Sequence, residues 1–378
     1  MENLGNTMKS QSGLLSEFYF GKRVFITGHT GFKGAWMSLW LRLMGAEVMG
    51  YALDPITTPN LFQLLDLKHE IGHQIGDIRD FERLKSTMIN FQPDIVFHLA
   101  AQPIVRMSYN ETRMTYETNV MGTVNILEST RFLPNTRVVI NVTSDKCYEN
   151  QEWDYAYREN DPLGGFDPYS SSKSCSEIVT AAYRHSFFTI SDSPLIATAR
   201  AGNVIGGGDW ALDRIIPDIV RSLSINTPIV IRNPNAIRPW QHVLEPLSGY
   251  LWLAYRLWTG GHGFDEAWNF GPSSQSNLPV KKLVEYAIQA WGTGNWKEEE
   301  SNVNPIYEAK YLKLDCSKTI NLLNWEPVYD VQTSIERSVH WYKDFYHTSK
   351  DMKDRTIKDI ENYIIEAKRK RISWAAEK

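Results

Sequence analysis

Tyr169 and Lys173 are separated by three serines, directly after Pro168. On a helix, residues four apart share one face. A lysine ammonium beside a phenol lowers the phenol pKa, so that near neutral pH a phenolate can take a proton from a substrate hydroxyl. The same lysine can hydrogen-bond a cofactor ribose. Taken alone the pair is common, and an exposed tyrosine and lysine is the plain alternative. Ser144-Asp145-Lys146 adds three further polar groups in a row. Ser144 can hydrogen-bond a hydroxyl under oxidation, while Asp145 and Lys146 offer an acid and a base that hydride transfer alone does not need. A surface ion pair is the alternative for those two. Cys147 reads as a small packing residue, since no histidine accompanies it in sequence.

These groups need a scaffold that brings them together. Arg23–Thr27, Glu47–Ala52, Asp94–Leu99, Arg137–Thr143 and Leu195–Arg200 read as strands. Helical segments lie between them over Phe32–Met44, around Thr118–Phe132 and around Ser170–Phe188. Alternating strands and helices imply βαβ units and a parallel sheet. The fold class expected is α/β, a Rossmann-type doubly wound parallel sheet with a smaller C-terminal α/β lobe for substrate. Ser144 then falls just past a strand end, where side chains of a parallel sheet face the ligand crevice.

Between the first strand and the first helix lies Gly28-His-Thr-Gly31-Phe-Lys-Gly34. In that context Gly28 permits the tight turn, Gly31 the approach of a pyrophosphate, and Gly34 close helix packing. The helix N-terminus offers N–H groups and a positive dipole end to phosphates. Asp54, after the second strand, can accept hydrogen bonds from the adenosine ribose and would repel a 2′-phosphate, which favours NAD over NADP; it can equally serve the turn before Pro55. His29 and Lys33 can pair with the pyrophosphate or, for Lys33, point to solvent. Asp77 and Ile78 can reach the adenine or form a turn.

The 378 residues, 42% hydrophobic and 22% charged, suffice for a large core, and a net charge of −4 gives no field that would attract nucleic acid or an acidic membrane surface. Three scattered cysteines suit neither a disulfide framework nor a metal cluster, and fit a cytoplasmic setting. No apolar run spans a bilayer. The expected division is an N-terminal extension over 1–19, an NAD-binding domain over 20–200 with 236–275 returning to it, a lobe from 201–235 and 276–350, and a helical extension over 351–378. Lys297–Glu300 reads as a solvated loop or helix end, and Lys368–Arg371 as the cationic end of a helix.

The glycine loop, Asp54, His98-Leu-Ala-Ala-Gln102 and the Tyr169/Lys173 pair together resemble the extended short-chain dehydrogenase/reductase superfamily, the NAD-dependent epimerases and dehydratases. The resemblance spans roughly 20–350 and takes in Arg200–Asn203, Trp268–Gly271 and Asp315–Trp325. It implies NAD held by Gly28, Thr30, Gly31, Phe32, Lys33, Gly34, Asp54, Asp77, Ile78, Leu99, Ala100, Ala101, Tyr169 and Lys173. It implies a sugar nucleotide held by Ser144, Asn203 and Arg238, with Arg238 on the diphosphate. A turn role for Asn203 and a structural salt bridge for Arg238 stay open. Trp240 and His242 read as core or pocket walls.

Within the superfamily, residues 28–36, 144–148 and 238–243 resemble the sugar-nucleotide dehydratases that act on CDP-glucose. Relatives in the wider group carry Thr-Asp-Glu where this chain has Ser144, Asp145 and Lys146. The implied reaction is a carbon–oxygen lyase cycle of deoxysugar biosynthesis, from CDP-glucose to CDP-4-keto-6-deoxyglucose and water. Tyr169 serves as base at the 4-hydroxyl and Asp145 as acid at the 6-hydroxyl, and Lys146 either is the C5 base or stabilises the enolate as a cation while another group takes the proton. A sugar-nucleotide epimerase would share the loop and the tyrosine but has no use for Asp145-Lys146. A non-catalytic NAD sensor would have no need of the whole set. The resemblance also implies a homodimer formed through the helices near Met107–Phe132 and Pro168–Phe188.

Overall fold

Short β-branched runs such as Arg23-Val-Phe-Ile-Thr27 bury nearly every side chain, as strands covered on both faces must. The computed structural model describes residues 13–190, 193–273, 276–299 and 311–377. Seven strands form one sheet: β1 (Arg23–Thr27), β2 (Glu47–Ala52), β3 (Gly72–Ile75), β4 (Ile95–His98), β5 (Val138–Val142), β6 (Leu195–Arg200) and β7 (Ala267–Asn269). Their order is β7-β6-β5-β4-β1-β2-β3, and every pairing is parallel. The chain runs outward from β1 through β2 to β3 and then crosses back to β4. The crevice at the carboxyl ends of β1 and β4 is therefore the topological switch point, where open α/β sheets bind ligands.

Six helices matter to the site: α1 (Phe32–Leu43), α2 (Gly122–Thr130), α3 (Pro168–Phe187), α4 (Leu244–Gly260), α5 (Val331–His347) and α6 (Met352–Arg369). α3 starts where the sequence dictates: the Asp167 side chain accepts from the Ser170 N–H and Pro168 occupies the first turn, which combines a favourable cap with a preset φ. The helix expected around Thr118–Phe132 begins earlier and is not uniform. Thr112–Tyr116 leads into one π turn, Glu117–Met121, before α2. The wide turn accompanies Asn119, whose side chain bonds the Gln102 backbone and donates to Ser172 Oγ at 2.8 Å. That link ties the loop after β4 to α3.

Two apolar clusters form the main core. One holds α4, α5 and α6 with β1 and β5, and the other packs Phe25, Met88, Val96, Ile126 and Val139. Five tryptophans, Trp36, Trp40, Trp268, Trp325 and Trp341, are fully buried. Beyond β6, smaller pairs of strands join Ile229–Ile231 with Trp296–Glu298 and Ile237–Pro239 with Asn277–Pro279. Lys297 and Glu298 thus lie in an exposed strand rather than a loop or helix end, because Trp296 packs inward; Glu300 lies outside the described residues.

Both ends of the described residues meet α4. The Tyr19 hydroxyl donates to the Leu251 carbonyl at 2.9 Å, so Leu14–Tyr19 is a packed helix; residues 1–12 lie outside the described set. Tyr363 of α6 donates to Glu245 Oε2 at 2.7 Å and stacks on Trp374. Lys368–Arg371 closes α6, with Lys370 Nζ donating to the Val328 carbonyl.

Candidate active site

The glycine loop connects β1 to α1. Gly28 has φ +79°, and a Cβ on it would stand 2.8 Å from the Ala100 nitrogen. A Cβ on Gly34 would stand 2.1 Å from the Gly28 carbonyl oxygen, so Gly34 packs the helix onto the loop itself. Gly31 caps α1 with no side chain to satisfy the first-turn N–H groups, and no acidic residue occupies that turn. Across the crevice Thr27 Oγ1 accepts from the backbone of Leu99 and Ala100 at 3.1 Å each, which sets Leu99, Ala100 and Ala101 half-buried beside the loop. Thr30 donates to the Leu53 carbonyl, and Phe32 lies half-buried against Gly206. Asp54 is exposed just past β2. Bare first-turn amides, two glycines that exclude any Cβ, and a carboxylate at the end of β2 fit a dinucleotide.

His29 does not face this crevice. Its ring is fully buried, with Nε2 2.7 Å from His73 Nδ1 and its edge on Phe62. Burial, with His73 adding, holds its pKa down to about 3. The ring is therefore neutral and offers no charge to a phosphate. Lys33 is half-buried and faces the reaction groups: burial first, then Arg214 and Lys173, bring its pKa down to about 7, with Asp145 opposing. Asp77 is taken by Arg79, whose Nη2 donates to Oδ2 at 2.6 Å. Ile78 is buried, and its carbonyl accepts from Asn125.

Ser144, Asp145 and Tyr169 meet at the end of β5. Ser144 is 5% exposed, caps the single turn Asp145–Cys147, and donates to Asp145 Oδ1 at 3.0 Å. Asp145 is 3% exposed, and its Oδ2 has no hydrogen-bond partner among the described residues. The Tyr169 phenol also hydrogen-bonds Ser144. Lys146, next in the turn, is half-buried.

Lys173 is not among the foremost influences on the Tyr169 phenol. Burial pushes the phenol up to about 12; the Ser144 hydrogen bond and Arg214 pull it down, and Asp145 pushes it further up. Lys173 instead donates to the Val142 carbonyl at 3.4 Å, and Glu177 is its foremost charge partner. Burial still brings Lys173 down to about 8. Glu177 in turn is locked in a buried ion pair with Arg200, 2.9 Å apart, and accepts from Thr143 and Thr198. This network, rather than any direct phenol–ammonium contact, fixes α3 to the ends of β5 and β6. Burial drives the Cys147 thiol well up, which suits packing and not nucleophilic attack.

Asn203 sits in the left-handed region at φ +50° and its carbonyl accepts from Gln241 N–H, so it shapes the turn after β6. Arg238 is half-buried on the strand Ile237–Pro239, with Nη1 on the Ile237 carbonyl. Trp240 and His242 are core: His242 lies edge-on to Trp36 and Tyr329, and burial holds it at about 3.

Sequence reasoning passed over three residues. Arg214 acts electrostatically on both Tyr169 and Lys33, and pairs with Asp209 at 2.9 Å. Gly202 is the second: a Cβ there would stand 1.8 Å from Asp145 Oδ2. The third is Tyr250 of α4. The signal for the first two was their position in the segment that follows β6, on the same sheet edge as Ser144.

This sheet order, the glycine loop and a Ser144–Tyr169 pair at the end of β5 define an extended short-chain dehydrogenase/reductase. The chain belongs to the family described as GDP-mannose 4,6 dehydratase, which matches residues 25–338. It is 51% identical over 92% of its length, and 97% of the other protein, to CDP-glucose 4,6-dehydratase of Salmonella typhimurium. It is 27% identical over 84% of its length, and 92% of the other, to dTDP-glucose 4,6-dehydratase of Xanthomonas campestris. Among solved structures, dTDP-glucose 4,6-dehydratase of Streptomyces venezuelae with NAD bound aligns with a TM-score of 0.72 at 23% identity, covering 85% of this chain and 97% of that one. UDP-glucose 4-epimerase of Thermotoga maritima aligns with a TM-score of 0.72 at 18% identity, covering 85% and 99%. Those two structures share the fold.

Proposed function

We propose that this protein is an NAD-dependent CDP-glucose 4,6-dehydratase, a carbon–oxygen lyase that makes CDP-4-keto-6-deoxyglucose and water. The observation that carries the reading is Asp145: a buried carboxyl beside the Ser144–Tyr169 pair is surplus to oxidation but is what elimination requires. An epimerase needs no such acid. The 51% identity to the Salmonella typhimurium enzyme supports cytidine as the base.

NAD, when bound along the glycine loop, supplies the hydride acceptor for C4 and the donor for C6. The chain supplies everything else. Gly28, Gly31 and Gly34 keep the loop bare, α1 presents its first amides to the pyrophosphate, and Asp54 takes the ribose. Ser144 hydrogen-bonds the sugar 4-hydroxyl, and Tyr169 removes its proton as C4 becomes a ketone. Lys173 steadies the strand end. The ketone acidifies the C5 proton, which Lys146 removes. Asp145 protonates the 6-hydroxyl as the C6–O bond breaks, so that water leaves with the pair of electrons that bond held. Asn203 and Arg238 hold the sugar nucleotide, and Arg214 adds a cation on the same side.

The protein works as a homodimer in this reading. Met107, Tyr109, Met121 and Ile178, exposed by 42%, 42%, 50% and 57%, lie on the helical segments that would meet. No described helix is long and apolar enough to cross a membrane.

Incubation with CDP-glucose, dTDP-glucose, UDP-glucose and GDP-mannose, followed by mass spectrometry, tests the activity. Loss of water from CDP-glucose alone, without net NADH, is expected. Unchanged mass in all four, or an isomer of equal mass, overturns it.

A further inference from the structure

We infer that Tyr250 is the positioning residue for Asp145, its phenol holding the inner oxygen of the acid from behind the site. The inference rests on the dehydratase reading above.

Tyr250 lies on α4, the helix that packs against β5 and β6. It is wholly buried, with its ring edge-on to Phe270 at 5.5 Å. Its hydroxyl has no hydrogen-bond partner among the described residues, and neither does Asp145 Oδ2. Both atoms are shut away from solvent. Buried polar atoms are almost always satisfied, and here two complementary ones, a donor and an acceptor, are left over in the same region. A second observation links the two. Beyond burial, Asp145 and then Tyr169 push the Tyr250 phenol up, so the hydroxyl lies within electrostatic reach of the two groups that flank Ser144.

The wall beside Asp145 keeps Oδ2 unobstructed. Gly202 leaves Asp145 Oδ2 room that any Cβ would occupy, at 1.8 Å. Gln241 donates to the Gly202 carbonyl at 3.2 Å and to the Phe270 carbonyl at 2.9 Å, which fixes the wall that carries both Gly202 and the ring beside Tyr250. A phenol-to-carboxylate hydrogen bond, direct or through one bridging water, would satisfy both atoms at once. A phenol this resistant to ionising donates without competing for the proton Asp145 must deliver. With Oδ2 held, Oδ1 on the Ser144 side is the oxygen that faces the leaving hydroxyl.

Tyr250→Phe keeps the ring and its contact with Phe270 and removes one oxygen. Three steps are followed in D2O with CDP-glucose: reduction of the nicotinamide in a single turnover, deuterium entry at C5, and loss of water. In Tyr250→Phe the first two are expected to stay within about threefold, while loss of water falls about tenfold or more. Its pH profile is expected to move up, since a carboxyl deprived of a donor ionises less readily. A urea-melt double-mutant cycle with Asp145→Asn is expected to show coupling between the two positions. Unchanged water loss overturns the inference. So does an equal fall in all three steps with no coupling in the cycle, which would leave Tyr250 as packing alone. If the unaltered protein fails to dehydrate CDP-glucose, the dehydratase reading fails first, and the cycle still reports whether the two side chains touch.

Discussion

Gly202 owes its identity to Asp145: the carboxylate occupies the space where any side chain at 202 would begin, with Oδ2 1.8 Å from the Cβ position. Gly202 has no positive φ, so alanine meets no backbone penalty there and the conflict is purely with the acid. Gly202→Ala is expected to displace Asp145 and to lower kcat for dehydration by about 10² or more, the scale of a general acid's contribution. Overpacking of this sort costs about 1–3 kcal/mol, so the fold should survive. Steady-state assays beside a thermal melt check both parts, and near-normal kcat would show that Asp145 is not needed where it stands.

Gly28 is a different case. There φ is +79° and the Ala100 nitrogen stands 2.8 Å from the Cβ position, so alanine is strained by backbone and by contact together. Gly28→Ala is expected to weaken NAD binding by at least about tenfold, from strain of about 1–3 kcal/mol at the site alone. Isothermal calorimetry with NAD measures it directly, without reference to turnover.

Lys146 is the C5 base in the reading above, and Lys33 is the lysine it is to be tested against. Lys146 follows Asp145 in the turn, whereas Lys33 sits on the glycine loop with its pKa brought down to about 7, chiefly by burial. Lys146→Ala is expected to abolish deuterium exchange at C5 while the 4-hydroxyl is still oxidised, and Lys33→Ala to leave that exchange in place. The reverse outcome would transfer the base role to Lys33.

The scaffold is largely legible in the sequence. β1, β2 and β6 have the bounds that their β-branched runs set, and β4 and β5 are each one residue shorter at both ends than those runs. Turn chemistry and a pattern of buried apolar residues are local properties, so the sequence displays them. What it could not display was how side chains pair across the sheet. Lys173 shares a helical face with Tyr169, yet the buried Glu177–Arg200 pair draws its charge elsewhere, and Arg200 is 23 residues further along. His29, inside the phosphate loop, turned out to serve the core because Gly50 and His73 of neighbouring strands leave it a slot. Tyr250 and Gly202 gain meaning only from Asp145, which neither resembles nor neighbours them in the chain.

Stability should carry a signature of Glu245. Burial holds this carboxyl up at about 7, against the pull of the Tyr329 and Val328 N–H groups and the Tyr363 hydroxyl. An unfolded glutamate titrates near about 4.3, so the folded protein binds this proton more tightly. The stabilisation is fully present below the unfolded value and is lost as pH rises through about 7. Urea midpoints measured from about pH 5 to about pH 8 should fall more steeply for the natural protein than for Glu245→Gln. Parallel slopes would place the pH dependence elsewhere.

Ile178 is 57% exposed on α3, one of the two helical segments proposed to meet the partner copy. Ile178→Asp buries a charge if that surface is an interface, and is expected to give a monomer in light scattering. A dimer of unchanged stability would move the interface to another face.

Glu245 has a second consequence, for how the chain matures. Its carboxylate oxygens accept from Val328, Tyr329 and Tyr363, all at least 83 residues downstream. Until those residues leave the ribosome, the nascent sheet carries α4 with an acid and no donors for it. The environment of Glu245 is therefore complete only once those late segments are in place. Two of the three donors, from Val328 and Tyr329, come before α5, and the third arrives only with Tyr363 on α6.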